Sequence, residues 1–145
     1  MPSERADILL VEDNPNDVTL TLQAFKDAGV VNSIHVARDG VEALDYIFGA
    51  ALDTRDPIPK RPYLVLLDLK LPRIDGHEVL KRLKGDPRTA MIPVVVLTSS
   101  IEERDVMQSY ETGTNSYIVK PVDFEQFTEV TRHIGSYWLK VNHSI

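Results

Sequence analysis

The stretch that decides the fold is Tyr63–Gly76, which reads YLVLLDLKLPRIDG. Its first half is a short, continuous apolar run, the pattern of a central strand buried on both faces of a parallel sheet. The run ends at a carboxylate, Asp68, and Pro72 and Gly76 then interrupt the chain before a helical pattern begins. Because ligands of open α/β sheets bind beyond the carboxyl ends of the strands, Asp68 is predicted to lie where such a fold carries out its chemistry.

Apolar runs of this kind alternate with helix patterns along the chain. The five predicted strands are residues 8–11, about 33–37, 63–67, 94–97 and 117–119. Strict alternation predicts an α/β fold with a five-stranded parallel sheet and helices on both faces. With right-handed crossovers, the flavodoxin-like strand order 2-1-3-4-5 is one of the few common arrangements. That order brings the ends of strands one, three, four and five to a single crevice.

The helix patterns carry their own start and stop signals. Asn14 is predicted to cap the first helix, with Pro15 at its first position and Gly29 after its end. The face of that helix predicted to be buried carries Val18, Leu22 and Phe25. Residues 49–62 form a longer connection than usual and contain three prolines, which favours a surface insertion over a binding segment.

The composition is that of one globular domain. The chain has 145 residues, of which 43% are hydrophobic and 26% are charged, so it can build a proper core. Its net charge of −6 argues against a nucleic-acid surface. No run reaches transmembrane length, no signal peptide opens the chain, and there is no cysteine. We therefore expect a cytoplasmic protein without a membrane anchor, disulfides or thiol chemistry.

Polar groups follow four of the predicted strands where each strand ends. They are Glu12 and Asp13 after strand one, Asp68 after strand three, Thr98 after strand four and Lys120 after strand five. Each of them alone is more often an ordinary cap, turn or solvated residue, and only their coincidence at one crevice favours a site. Three neighbouring carboxylates repel one another, and Mg²⁺, which takes oxygen ligands, removes that conflict.

With Mg²⁺ bound, the same groups suit phosphoryl transfer. Asp68 can act as a nucleophile toward phosphorus, because carboxylates form aspartyl-phosphate intermediates. Lys120 can neutralise one phosphoryl oxygen as a point charge, and the Thr98 hydroxyl can donate to another. Positioning and charge neutralisation are most of what phosphoryl transfer requires.

With these residues the chain resembles the receiver domain of two-component response regulators, the CheY-like family, from about residue 6 to residue 136. The motifs that carry the resemblance are Glu12-Asp13, Asp68 with Pro72 and Gly76, Thr98-Ser99, and Lys120-Pro121. The resemblance implies that Asp68 accepts a phosphoryl group from a phosphohistidine of a sensor histidine kinase or a phosphotransfer protein. It also implies Mg²⁺ held by the side chains of Asp13 and Asp68 and the carbonyl of Lys70, with Glu12 acting through water.

The resemblance further implies a switch around the phosphoryl group. Thr98 would move toward that group, and the small Ser99 behind it would not block the approach. Tyr117 matches the aromatic switch position of the family, and the bond between Lys120 and Pro121 resembles its cis-proline. Such a protein is a phosphoacceptor in signalling rather than an enzyme.

Two less specific features, the long 49–62 segment and the apolar C-terminal tail, resemble features of the stand-alone receivers found beside phytochrome-type light-sensing kinases. We expect one domain over residues 1–145 without an output domain, so the signal would pass by contact with an unknown downstream protein. The candidate contact surface includes Tyr110 and Tyr117. Residues 137–145 either pack on the core of the domain or form a homodimer interface.

Three other functions remain as alternatives. A flavodoxin-like cofactor binder would share the fold, but the acidic loop at residues 12–17 would repel a flavin phosphate. A Mg²⁺-dependent phosphatase with an aspartate nucleophile would usually need an acid where Lys70 stands. A receiver-like binding module that is never phosphorylated would keep the same residues without the chemistry.

Overall fold

The computed structural model of the protein describes residues 7–30, 32–58, 61–98, 116–123 and 125–129. Ser99, the predicted fourth helix with Tyr110, and residues 137–145 lie outside the described residues. Within the described ranges, no helix has the length and apolar character needed to cross a bilayer.

Five parallel strands form one sheet in the order β2-β1-β3-β4-β5, which confirms the predicted fold class and strand order. The strands are β1 (Ile8–Val11), β2 (Ile34–Ala37), β3 (Leu64–Asp68), β4 (Val94–Thr98) and β5 (Ser116–Val119). The described α-helices are α1 (Pro15–Asp27), α2 (Gly40–Phe48) and α3 (Gly76–Gly85). A 3-10 turn at Gly49–Ala51 follows α2, and residues 125–129 are helical.

Helices cover both faces of the sheet. On one face, Val65 and Val96 belong to a buried layer with residues of α2 and α3. On the other face, Leu66 packs in a layer with Phe25 of α1 and Phe127 of the helical segment 125–129. The two phenylalanine rings meet edge to face, with centroids 4.4 Å apart. Because helices cover both faces of the sheet, all five residues of β3 are buried, as its continuous apolar run predicts.

The buried face of α1 differs from the prediction at one residue. Val18 and Phe25 are buried as predicted, but Leu22 is 36% exposed, so its predicted burial is wrong. Thr21 and Ala24 complete the buried face instead. At about 100° per residue, these two residues lie on the same side of the helix as Val18 and Phe25, and Leu22 lies at the edge of that face. A count of apolar residues misses this arrangement because it does not score threonine.

Side-chain caps fix where the three described α-helices begin. Asn14, Asp39 and Asp75 cap α1, α2 and α3 through side-chain oxygens. Asn14 Oδ1 accepts a hydrogen bond from the backbone N–H of Asp17 at 3.2 Å, which confirms the predicted cap. A cap satisfies N–H groups that lack partners in the first turn. For α1, the cap places Asp17 in the first turn, close to the carboxyl end of β1.

Arg88 holds the first part of the long connection, residues 49–58, against the domain. Its guanidinium donates to the carbonyl oxygens of Ala51 at 3.1 Å and Asp56 at 2.6 Å. It also forms a bidentate ion pair with Asp86, with N–O distances of 2.9 and 2.7 Å. The connection is therefore a surface segment with a defined attachment to the loop after α3.

The amino-terminal edge of the sheet lies opposite the edge that Asp68 occupies. The chain reaches β4 from this edge through Met91, whose side chain is 77% exposed, and Ile92, which is buried. Ile92 belongs to the core layer beneath α2 and α3. Met91 therefore faces solvent at the end of the molecule away from Asp68.

Candidate functional site

The pairing of β1 with β3 brings three carboxylates together. Val11 lies opposite Leu67, so Glu12 and Asp68 follow at the same level of the sheet. Carboxylate oxygens of Glu12, Asp13 and Asp68 lie within 4.8 Å of one another. Glu12 and Asp68 are buried, while Asp13 is exposed. The cluster predicted at this edge from the sequence is therefore formed.

The pairing of β3, β4 and β5 extends the carboxyl edge of the sheet beyond Asp68. Asp68 lies opposite Leu97 in β4, and Thr98 lies opposite Val119 in β5. Lys120 follows Val119, and its backbone N–H donates to the carbonyl oxygen of Thr98 at 2.7 Å. The last residues of four strands thus meet along one edge, as parallel pairing requires.

The Lys120 ammonium lies at the centre of the acidic cluster. Its Nζ lies 3.0 Å from Glu12 Oε1, 2.9 Å from Asp17 Oδ2 and 2.9 Å from Asp68 Oδ2. Burial acts to lower the pKa of Lys120, but hydrogen bonds to Asp17, Asp68 and Glu12 outweigh it and raise the pKa above its ordinary value. Lys120 is therefore a permanent positive charge that offsets part of the carboxylate repulsion.

Burial and the neighbouring negative charge both disfavour the ionised form of Glu12. Burial first, and then the neighbouring Asp68 carboxylate, raise the pKa of Glu12 from 4.5 to about 7. Hydrogen bonds from Lys120 and from the backbone of Asn14 limit the rise. A buried carboxylate that resists ionisation beside two others is the situation that a bound divalent cation relieves. The oxygen donors of Glu12, Asp13 and Asp68 fit Mg²⁺, which prefers such ligands.

The loop after β3 shapes the surroundings of Asp68. The backbone N–H of Lys70 donates to Asp68 Oδ1 at 3.0 Å, and the N–H of Gly76 donates to the carbonyl oxygen of Leu69 at 2.9 Å. A Cβ on Gly76 would overlap the carbonyl oxygen of Asp68 and the Cα of Leu69. The loop folds back so tightly that α3 starts against the end of β3, and only glycine fits at the contact.

The other predicted site residues take different positions. Thr98 is buried at the end of β4, and its backbone carbonyl accepts the hydrogen bond from the Lys120 N–H. Tyr117 is half-buried in β5 and packs against the core layer shared with α2 and α3. The bond between Lys120 and Pro121 is cis, the isomer that the resemblance implies. Ser99 lies outside the described residues.

Asp17 is the site residue that the sequence analysis did not single out. Its carboxylate binds Lys120 at a distance equal to that of Asp68. The signal was available, because a helix that begins at Pro15 puts Asp17 in its first turn, four residues after Asp13. The first turn of a helix that directly follows β1 lies next to the carboxyl end of that strand. The strand-end argument missed Asp17 because it considered only residues that directly follow a strand.

Comparison with known proteins identifies the family. The family model described as the response regulator receiver domain matches residues 8–132. The probable methanogenesis regulatory protein FilR2 of Methanothrix harundinacea is 42% identical over 142 residues, which cover 94% of this chain and 86% of that protein. The response regulator Rcp1 of Synechocystis sp. is 38% identical over 133 residues, with 92% and 88% covered.

Solved structures agree with the sequence relatives. The bacteriophytochrome response regulator RtBRR is 45% identical with a TM-score of 0.81, over 96% of this chain and 83% of that one. The phosphorylated cyanobacterial phytochrome response regulator RcpA is 39% identical with a TM-score of 0.71, over 92% and 94%. The Mn²⁺-bound form of Rcp1 is 36% identical with a TM-score of 0.70, over 97% and 99%. Together with the carboxylates and lysine gathered at the carboxyl edge of its sheet, these matches show that the chain belongs to the response regulator receiver domain family.

Proposed function

We propose that this protein is a response regulator that accepts a phosphoryl group on Asp68 from a sensor histidine kinase, in a Mg²⁺-dependent reaction. The observation that carries the proposal is the buried Asp68 carboxylate, which lies against the Lys120 ammonium and beside two further carboxylates. Membership of the receiver family supports this role. The phosphorylated protein then signals through contact with another protein.

Asp68 supplies the nucleophile in this reaction. A lone pair of one carboxylate oxygen forms the new O–P bond, while the P–N bond to the imidazole of the donor histidine breaks. The imidazole nitrogen keeps the electron pair of the broken bond and gains a proton from solvent. Lys120, 2.9 Å from Asp68 Oδ2, neutralises negative charge on the phosphoryl oxygens as they approach. The protein thus contributes position and charge, which suffice for phosphoryl transfer.

Glu12, Asp13 and Asp68 are the residues that would hold Mg²⁺, with the Lys70 carbonyl as a further ligand. When bound, the ion neutralises the carboxylates and supplies charge stabilisation to the phosphoryl oxygens. The clustering of the three carboxylates and the raised pKa of Glu12 support this assignment. So does the relative Rcp1, whose structure was solved with Mn²⁺ bound.

The kinase partner that we propose is of the phytochrome type. RtBRR and RcpA are both named as phytochrome response regulators, and each covers more than 90% of this chain. Initial phosphotransfer rates from a phytochrome-type histidine kinase and from an unrelated histidine kinase would test the pairing. We expect faster transfer from the first kinase, and equal rates would remove the support.

Intact-mass measurement after incubation with acetyl phosphate and Mg²⁺ tests the phosphoacceptor. We expect the wild-type protein to gain the mass of one phosphoryl group, and Asp68→Asn to gain none. Asp75→Asn is the matched control, because it makes the same chemical change close by and asparagine caps a helix as well as aspartate does. Full labelling of Asp68→Asn would show that another residue is the acceptor.

A further inference from the structure

The Lys120 ammonium has no N–H left for a phosphoryl group. An ammonium carries three N–H donors. Glu12, Asp17 and Asp68 each accept from it at 2.9–3.0 Å. Before Lys120 can donate to a phosphoryl oxygen on Asp68, one of these contacts must give way.

The three acceptors differ in what their release would cost. The Glu12 side chain is fully buried, so an ionised Glu12 without its cation would be strongly destabilised. Asp68 is the phosphoacceptor of the proposed function, and its side chain is 6% exposed. The Asp17 side chain is 24% exposed and lies in the first turn of α1, where water and the helix N-terminus stabilise a carboxylate. Asp17 is therefore the contact that Lys120 can lose at least cost.

We propose that Asp17 is a positioning residue that competes with the incoming phosphoryl group for Lys120 and slows the phosphorylation of Asp68. The inference rests on the proposed function of Asp68 and adds a determinant of its rate. In the unphosphorylated protein Asp17 holds Lys120, and during transfer Lys120 exchanges Asp17 for a phosphoryl oxygen. The strength of the partly exposed ion pair between Asp17 and Lys120 therefore contributes to the activation barrier for phosphoryl transfer to Asp68.

The test compares initial rates of labelling by acetyl phosphate at saturating Mg²⁺. Asp17→Asn should be labelled faster than wild type, on the order of two- to fivefold, the range expected for loss of a partly exposed ion pair. Asp27→Asn is the matched control, because it removes the same charge from the other end of α1, where Asp27 accepts from Gln23. Its rate should equal that of wild type.

Variants of Lys120 distinguish competition between Asp17 and the phosphoryl group from a general repulsion of the anionic phosphodonor by the Asp17 charge. If Asp17 acts through Lys120, Asp17→Asn should give no gain in rate when combined with Lys120→Met. General repulsion would persist in that background. Lys120→Arg is a second background in case Lys120→Met does not fold. A guanidinium has five N–H donors and can serve both acceptors, so the gain should shrink there as well.

Three outcomes would count against the proposal. Equal or slower labelling of Asp17→Asn, with wild type labelled normally, would overturn this inference alone. A gain that persists in both Lys120 backgrounds would assign the effect to bulk charge and overturn the competition. Wild-type protein that gains no label would refute the proposed function, and this inference with it.

Discussion

The carboxylates of Glu12 and Asp68 lie within 4.8 Å of each other, although 55 residues separate them along the chain. The parallel pairing of β1 with β3 fixes this proximity, because Val11 and Leu67 are register partners and each is followed by an acid. Burial together with the charge of Asp68 raises the pKa of Glu12 to about 7. The protein therefore folds at a free-energy cost near neutral pH that a cation can remove.

The first prediction concerns the pH dependence of metal-free protein. Since the folded pKa of Glu12 lies above its ordinary 4.5, its protonated form favours folding at low pH. That contribution is lost as pH rises from 4.5 through about 7, at most about 3 kcal/mol. Melting temperatures in chelator should therefore fall over this range, and Glu12→Gln should flatten the fall. Exposed Glu78→Gln is the control, and an equally flat profile for it would contradict the assignment.

The second prediction concerns the exposed member of the carboxylate cluster. Asp13→Asn removes one of three neighbouring negative charges, so metal-free protein should melt higher, on the order of 2–4 °C. The same change removes a proposed ligand, so calorimetric titration should show weaker Mg²⁺ binding. A lower melting temperature in chelator would mean that repulsion is not the dominant effect of Asp13.

The third prediction concerns the glycine against Asp68. Gly76→Ala would force a Cβ into the Asp68 carbonyl oxygen and Leu69, so it should destabilise the protein by about 1–3 kcal/mol in urea unfolding. Displacement of this loop should also slow labelling of Asp68. Gly85→Ala is the matched control, because nothing lies within 4 Å of a Cβ there and alanine favours a helix. Equal stability of the two variants would show that the loop between β3 and α3 can shift to accommodate a Cβ at position 76 without a measurable loss of stability.

The fourth prediction concerns the attachment of the long connection. Arg88→Met removes the donors to Ala51 and Asp56, so trypsin should cleave faster after Arg55, several-fold at fixed protease. Arg82→Met is the control, because Arg82 forms an exposed pair one helical turn along α3. Unchanged cleavage of Arg88→Met would mean that other contacts hold the segment.

Most of the sheet and the site could be predicted from the sequence because both depend on where apolar runs stop. The strands that lead to the site each end in an apolar run, and the polar residue that follows the run lies at the carboxyl edge. That reasoning placed Glu12, Asp68 and Lys120 correctly along the chain, and the structure brings them into contact.

The features that were missed depend on distances between elements rather than on local pattern. Leu22 is at the edge of the buried face of α1, which includes Thr21 and Ala24. Asp17 reaches Lys120 from a helix rather than from a strand end. Arg88 joins segments that are more than 30 residues apart. The switch role of Ser99 and the association of residues 137–145 stay predictions, because they lie outside the described residues.

The exposed position of Met91 has a practical consequence. The chain contains no cysteine, so Met91→Cys would create its single thiol, at the end of the sheet away from Asp68. The length of β4, about 16 Å at the rise of an extended chain, separates the two ends. A fluorophore attached there would put one dye on every molecule, at a known position outside the acidic cluster.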